Sequence, residues 1–365
     1  MQAKKFVEAL SGIGIDTFLG VPDSLMSSLS KHLELSKNIN TSHKILHNEG
    51  GAVGYAIGKY ISNKKISAVY LQNSGLGNII NPITSLTNDD VFSIPILFII
   101  GWRGEPGVKD EPQHIFQGKI TLDLLDLLEI EYSILNSEED LNLKEVNSVL
   151  ESNRSYALVI KESFFDKDTR SFEKNENELT RFEVLKKLYE AYNENTLFVS
   201  TTGKTSRELY EITKKLKFSR TFFSVGGMGH TSSISLGLAE NSTKNNVVCF
   251  DGDGSYLMHM GASALIGASE VNNLHYILLN NYSHESVGGQ PTIAKEIDFK
   301  KMSEANNFDK FVLISNKVEL DNFVKSLKDK ITKKTFVEIK IDTFSESSLP
   351  RPDLTPKEYL KKFKD

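Results

Sequence analysis

Val247-Val248-Cys249-Phe250-Asp251-Gly252-Asp253-Gly254 and, further along, Tyr276-Ile277-Leu278-Leu279-Asn280-Asn281 are two apolar runs that each end in metal-competent oxygens. Asp253 and Asn281 stand twenty-eight positions apart, and the stretch from Ser255 to Val271 between the runs is long enough for one crossover helix. Continuous apolar runs of this length, bounded by glycine and asparagine, read as strands of a parallel sheet covered on both faces. A right-handed crossover sets such strands side by side, and ligands of open α/β sheets bind at their carboxyl edge. A carboxylate and an amide oxygen meeting there form a hard-oxygen site suited to Mg²⁺ held together with a diphosphate. Gly252 and Gly254 permit close backbone approach, and the helix beginning near Ser255 offers free N–H groups.

Outward from this core the same rhythm repeats. Strand-like runs at Phe18–Val21, Lys44–Leu46, Ala68–Leu71, Ile94–Ile100, Tyr132–Leu135 and Tyr156–Ile160 alternate with helical patterns. A polar, aperiodic stretch follows. The alternation then resumes with Thr180 and Glu183, which read as a capping box, and with runs at Leu197–Val199, Thr221–Ser224, Asn246–Phe250, His275–Leu279, Phe311–Ile314 and Thr335–Ile341. The expectation is an α/β protein of two domains, 1–165 and 180–365, joined by a linker over 166–179.

Composition narrows the partners. The 365 residues carry a net charge of −5 with 39% hydrophobic and 25% charged side chains, a globular balance without the concentrated basic face that nucleic acid demands. The single cysteine, Cys249, excludes an intramolecular disulfide and sits in an apolar run. Met1–Phe6 lacks the apolar segment of a secretory signal, and the strongest apolar run, Ile94–Ile100, is too short to span a bilayer, so no membrane partner and a cytoplasmic location are expected.

Other strand ends carry chemistry-bearing residues. His47-Asn48-Glu49-Gly50-Gly51 opens a helix, and Glu49 there complements the helix dipole or does more. Asp23 follows the first strand, as a site residue or a helix cap. Gly75 lies in the turn Gln72-Asn73-Ser74-Gly75-Leu76-Gly77-Asn78. The loop from Gly101 to His114 holds Arg103, Lys109 and His114, and long loops on such a scaffold are often functional. Ser200-Thr201-Thr202-Gly203-Lys204-Thr205-Ser206 contains Gly-Lys-Thr, but the glycine a P-loop needs five positions before Gly203 is Phe198. It reads instead as an anion-binding turn, with Arg207 one helical turn on. A nicotinamide fingerprint is also missing, because the third glycine after Gly252-Asp253-Gly254 is Leu257.

Taken together, the paired GDG and NN motifs resemble the signature of thiamine diphosphate (ThDP) enzymes. With GVPDS, NEGGAV, QNSGLGN, GWRGEPGVKDEPQH, STTGKTSREL, GGMGH and NNYSHESVGGQPT, the chain is similar to the 2-oxoacid decarboxylases of that family. Within them it resembles the phosphonopyruvate decarboxylase branch, with sulfopyruvate decarboxylases as neighbours. The resemblance runs from Val21 to Thr292 and weakly to Leu349-Pro350-Arg351-Pro352. It implies two ThDP-binding-type domains, pyrimidine-binding then diphosphate-binding, each a mostly parallel sheet flanked by helices, with no third middle domain. It further implies ThDP and Mg²⁺ as cofactors and a homo-oligomer with active sites between subunits.

By the same resemblance Glu49 donates to the aminopyrimidine ring. Met228 props the cofactor bent, and Gly226 offers it a carbonyl. Gly75, Thr202, Gly203, Gly252, Asp253, Gly254, Ser255 and Asn281 contact the cofactor, and Asp253, Asn281 and the Ser283 carbonyl hold the metal. Tyr282 departs from the small residue expected after the paired asparagines. Asp23 and His114 are the candidate proton donors, and Arg103, Lys109, Lys204 and Arg207 the candidate ligands for a 2-oxo acid with an anionic tail. The implied reaction is decarboxylation of phosphonopyruvate to phosphonoacetaldehyde and CO₂ in phosphonate biosynthesis. The alternatives are sulfopyruvate decarboxylation and a non-catalytic ThDP-fold regulatory subunit, although the latter would be marked by loss of Glu49 or Asn281.

Overall fold

The computed structural model describes residues 1–36, 41–214, 220–345, 349 and 354–364, so positions 350–352 of the weak resemblance lie outside the described residues. It divides into two compact units, Met1–Phe172 with Val287–Gln290, and Glu173–Ser286 with Pro291–Asp365.

The first unit holds six strands: β1 (Thr17–Gly20), β2 (Ser42–Ile45), β3 (Ala68–Gln72), β4 (Leu97–Gly101), β5 (Glu131–Leu135) and β6 (Tyr156–Ile160). They form one sheet in the order β2-β1-β3-β4-β6-β5, parallel throughout. β4 and β6 are buried at every position. Their runs are therefore continuously apolar rather than alternating, because helices cover both faces. The pleat sends alternate residues to opposite cores: Val69, Leu71, Phe98 and Ile100 to one, Tyr70, Leu97, Ile99 and Leu158 to the other.

The second unit contains β7 (Thr196–Ser200), β8 (Thr221–Phe223), β9 (Asn246–Gly252), β10 (Leu274–Asn280), β11 (Lys310–Ile314) and β12 (Thr335–Lys340). Its sheet is also all parallel, in the order β8-β7-β9-β10-β12-β11. Counted from its first strand this is the same arrangement as in the first unit. Two copies of one topology are thus present without a sequence repeat. In each, the strand order reverses beside the first strand, and the loops leaving there share one sheet edge. The expected α/β class of two parallel, helix-flanked sheets is the one observed.

Three local expectations change. The run Ile94–Ile100 becomes a strand only at Leu97, because Pro95 has no N–H to give a ladder. The crossover between β9 and β10 is two helices, Asp253–Met258 and Gly261–Ala268, broken at His259–Met260. The capping box is half formed: Thr180 accepts from the Glu183 N–H at 3.2 Å, while the Glu183 carboxylate pairs with Lys317 at 3.2 Å. No helix among the described residues is long and apolar enough to cross a membrane.

Candidate active site

In the first unit, β2 leads into Asn48, whose side chain accepts from the Gly51 N–H at 2.7 Å and so caps the helix Glu49–Asn63. Glu49 is the first residue of that helix and is 6% exposed. Its Oε2 accepts from Asn78 Nδ2 at 2.6 Å. A Cβ placed on Gly75 would stand 2.5 Å from Glu49 Oε1, so only glycine leaves the carboxyl its place. Burial pushes the Glu49 carboxyl up from its ordinary range, and the Asn78 bond only partly opposes this. The shift favours the protonated form relative to an exposed glutamate. Asn78, inside a motif quoted for its glycines, went unassigned in the sequence reading.

At the same sheet edge β1 delivers Asp23, which is fully buried. Its Oδ2 accepts from the Leu25 N–H at 3.1 Å, and Oδ1 has no hydrogen-bond partner among the described residues. Asp23 does not cap the next helix, Ser27–Leu35, which has no side-chain cap. Burial drives its carboxyl up to about 6, against the opposing charge of Arg103.

Arg103 is fixed by a residue the sequence reading passed over. Asp110 receives its Nε at 2.8 Å and its Nη2, and Arg103 Nη1 donates to Ser24 Oγ at 2.7 Å. Asp110 also accepts the Gly104 and Glu111 N–H groups at 2.8 and 2.7 Å and contacts His114 Nδ1 at 3.0 Å. Burial alone would raise the Asp110 carboxyl, but these donors together hold it well below the usual carboxylate range. The loop thus brings Arg103 and His114 to one carboxylate beside Asp23, while Lys109 is exposed and takes no part in that cluster.

The loop is clamped from behind. Asn73 accepts the Arg103 N–H at 3.2 Å and donates to the Arg103 carbonyl at 2.8 Å, and Trp102 Nε1 donates to the Gly118 carbonyl at 2.9 Å. A Cβ on Gly118 would come within 1.7 Å of the Gly104 carbonyl oxygen. Gly118→Ala is therefore expected to lower stability by roughly 1–3 kcal/mol, because backbone rather than a mobile side chain must yield. A thermal melt checks this, and an unchanged midpoint would show that the helix Pro112–Leu127 does not brace the loop.

In the second unit the parallel register sets Gly252 opposite Leu279. Asp253 and the Asn280–Asn281 pair therefore leave neighbouring strands, which lie about 4.8 Å apart, at the same edge. Asp253 is buried, accepts from Thr292 Oγ1 at 2.5 Å, and is pushed up to about 7 by burial. Asn281 Oδ1 accepts the Ser283 N–H at 3.1 Å, and Asn281 Nδ2 donates to Glu285 Oε2 at 3.0 Å. Tyr282 has φ +60°, the left-handed conformation that explains why a small residue was expected there. Holding Tyr282 in it costs about 1–2 kcal/mol, and its ring packs against the core.

These donors suit Mg²⁺. The buried Asp253 carboxylate is met by the Thr292 hydroxyl and by the backbone N–H groups of Asp253 and Gly254 but by no cationic side chain, and an amide oxygen beside it is equally hard. Among the described residues no cluster of three or more His, Cys, Asp or Glu could hold a metal, so a cation beside Asp253 would draw its remaining ligands from neutral oxygens such as the Asn281 amide and from a bound diphosphate.

The loops around this pair are knotted through Ser255, whose Oγ accepts from Thr201 Oγ1 at 3.0 Å and from the Gly229 N–H at 3.1 Å. Gly203 precedes the helix Lys204–Thr213, whose N-terminus has no side-chain cap, and Thr202 Oγ1 donates to the Val225 carbonyl at 3.1 Å. Gly226 and Met228 are half-buried in the turn after β8. Met228 Cε and His284 Nδ1 would lie 3.4 and 2.9 Å from a Cβ on Gly254, so both side chains close on the GDG turn. His284 was not singled out from sequence; desolvation lowers it to about 4 and keeps the ring neutral. Lys204 donates to Glu285 Oε1 at 2.7 Å and Ser345 Oγ at 2.6 Å, whereas Arg207 is half-buried one turn along.

Comparison with known proteins bears on these sites. Residues 2–127 match the family model described as the thiamine pyrophosphate enzyme N-terminal TPP binding domain, and residues 199–339 match its C-terminal TPP binding domain. The phosphonopyruvate decarboxylase of Streptomyces viridochromogenes is 32% identical, the alignment covering 99% of this chain and 94% of that protein. Its namesake from Streptomyces hygroscopicus is 30% identical over 100% of this chain and 94% of that protein. A sulfopyruvate decarboxylase from Methanosarcina acetivorans is 26% identical over 99% and 96%.

Proposed function

The chain belongs to the thiamine pyrophosphate enzymes, in the phosphonopyruvate decarboxylase family, and from that premise we propose that it converts phosphonopyruvate to phosphonoacetaldehyde and CO₂ with ThDP and Mg²⁺, in phosphonate biosynthesis. The observation that carries this reading is that each unit keeps its half of the chemistry: a buried Glu49 bonded by Asn78 in one, and the Asp253–Asn281 oxygen pair in the other.

When bound, ThDP would supply the nucleophilic carbon that bonds the keto carbon of the 2-oxo acid, and the ring that takes up the electron pair as CO₂ leaves that keto carbon. The chain's own residues do the rest. Glu49 would give a proton to the pyrimidine ring from its buried carboxyl. Asp253, Asn281 and the Ser283 carbonyl would hold the cation, and the Thr202–Gly203 turn and Ser255 would receive the diphosphate. Asp23, whose Oδ1 has no hydrogen-bond partner among the described residues, and His114, held by Asp110, are the candidates to return a proton to the product carbon.

For the dianionic tail Arg103 is the best-suited cation. Three of its five N–H groups are committed to Asp110 and Ser24, so one on each terminal nitrogen remains for a bidentate contact. Lys204 is already engaged by Glu285.

Glu49 and Asp253 lie in different units, and apolar side chains stand exposed on the first, among them Phe92, Ile115 and Phe116. A homo-oligomer whose sites join the Glu49 half of one subunit to the Asp253 half of another accounts for both. A strictly monomeric species with full turnover would count against it. A reduced, buried Cys249 fits the cytoplasm.

The deciding experiment is turnover of phosphonopyruvate, sulfopyruvate and pyruvate with ThDP and Mg²⁺ supplied. Phosphonopyruvate is expected to be the preferred substrate. Preference for sulfopyruvate would move the chain to the neighbouring activity that the Methanosarcina relative is named for, and no turnover of any of the three would defeat the reading.

A further inference from the structure

We propose that Glu285 is a positioning residue for the metal loop: it fixes which end of the Asn281 amide is nitrogen, and thereby where the oxygen stands, and Arg181 holds Glu285 in place for that task. The inference rests on the functional reading above.

An asparagine amide can present either end, and its hydrogen-bond partners decide which. At Asn281 both partners are unambiguous. Glu285 Oε2, 3.0 Å from Nδ2, belongs to an ionised carboxylate that only accepts, and the Ser283 N–H, 3.1 Å from Oδ1, only donates. The amide oxygen keeps a second lone pair for a cation.

Glu285 is in turn immobilised. Its Oε2 also accepts from Arg181 Nη1 at 2.8 Å, and its Oε1 accepts from Lys204 Nζ at 2.7 Å. Arg181 is 5% exposed, and its Nε and Nη2 both reach the buried Glu208 carboxylate at 3.1 Å. Arg181 and Lys204 therefore bracket the Glu208 and Glu285 carboxyl groups beside the metal loop.

A buried ion cluster is weak evidence for stability, because desolvation consumes most of the Coulombic gain. Its position supplies a different reason to exist. Partners behind a metal ligand set its orientation, and removing them typically weakens metal binding by about 10–100-fold. Glu285 stands in that relation to Asn281, and Arg181 stands one step further back.

The test is a Mg²⁺ titration of ThDP uptake by the full chain, read by calorimetry. In Glu285→Gln the Mg²⁺ midpoint is expected to rise about 10–100-fold. ThDP affinity should return at saturating Mg²⁺, and the Mg²⁺ midpoint should rise even where the melting temperature without cofactor falls because Arg181 and Lys204 lose a partner. A merely structural role would lower that melting temperature and leave the Mg²⁺ midpoint where it is.

The pair can also be inverted. Asn281→Asp sets two carboxylates against each other, whereas Asn281→Asp with Glu285→Gln restores one donor and one acceptor in exchanged places, so the double variant is expected to need less Mg²⁺ than Asn281→Asp alone. If Glu285→Gln does not fold, Glu285→Asp, which withdraws the carboxylate by one methylene, must still raise the midpoint. An unchanged midpoint in a folded variant, or a double variant no better than Asn281→Asp, overturns this inference alone. Wild-type protein with no Mg²⁺-dependent uptake overturns the functional reading as well.

Discussion

Glu49→Gln is expected to lose roughly 10²–10⁴-fold in kcat, the range a positioned proton donor contributes, while still taking up ThDP within a few-fold of wild type. The substitution keeps the shape that Gly75 and Asn78 enclose and removes only the transferable proton. Exchange of the thiazolium proton against deuterium, followed by NMR, should slow in step with kcat. It isolates activation from every later step.

Stability should move the other way. Burial raises the folded-state pKa of Glu49, so the folded chain holds this proton more tightly than the unfolded chain does. Ionising it then costs folding free energy once the pH rises past the ordinary glutamate value. Glutamine carries no such cost, so the cofactor-free variant is expected to melt at or above wild type at pH 8. A variant with ordinary kcat would show that cofactor activation lies with another residue.

Asp253→Asn is expected to abolish Mg²⁺-dependent ThDP uptake in the micromolar range and turnover with it. Asparagine retains the volume and can still accept from Thr292 Oγ1, so the fold is expected to stay intact. What disappears is the carboxylate that Asp253 would offer a cation at this edge, and neutral oxygens in its place would not offset the dehydration of Mg²⁺. Loss should exceed the roughly 100-fold upper range typical of a residue behind a ligand, which separates Asp253 from Glu285 in the same titration. Calorimetry showing wild-type heat for ThDP in magnesium buffer would remove Asp253 from the metal's ligands.

Much of the architecture was open to reading along the chain. Each of the twelve runs became a strand; the central ones, such as Leu97–Gly101 and Tyr156–Ile160, are buried on both faces and so apolar throughout, while edge strands such as Ser42–Ile45 are partly exposed. Asp253 and Asn281 could be placed at one edge for the same reason: each ends its strand, and parallel strands carry their ends to the same side. Glu49 was visible as a helix start, since its cap Asn48 is its immediate neighbour. These features depend on residues within a few positions of one another.

The structure decided what distance along the chain conceals. Glu49 is held by Asn78, Arg103 by Asp110 and Ser24, and Asn281 by Glu285, which Arg181 anchors from 104 positions away. Lys204, a candidate ligand for substrate, stands against Glu285, and of the two readings of Asp23, site residue or helix cap, the second falls because the next helix has no side-chain cap. Whether a carboxyl keeps its proton, which end of an amide faces a metal, and which cation is left for a ligand all follow from desolvation and from partners across the fold. Strand identity is written in local hydrophobicity; the charge and orientation of a side chain are set only when the chain has closed around it.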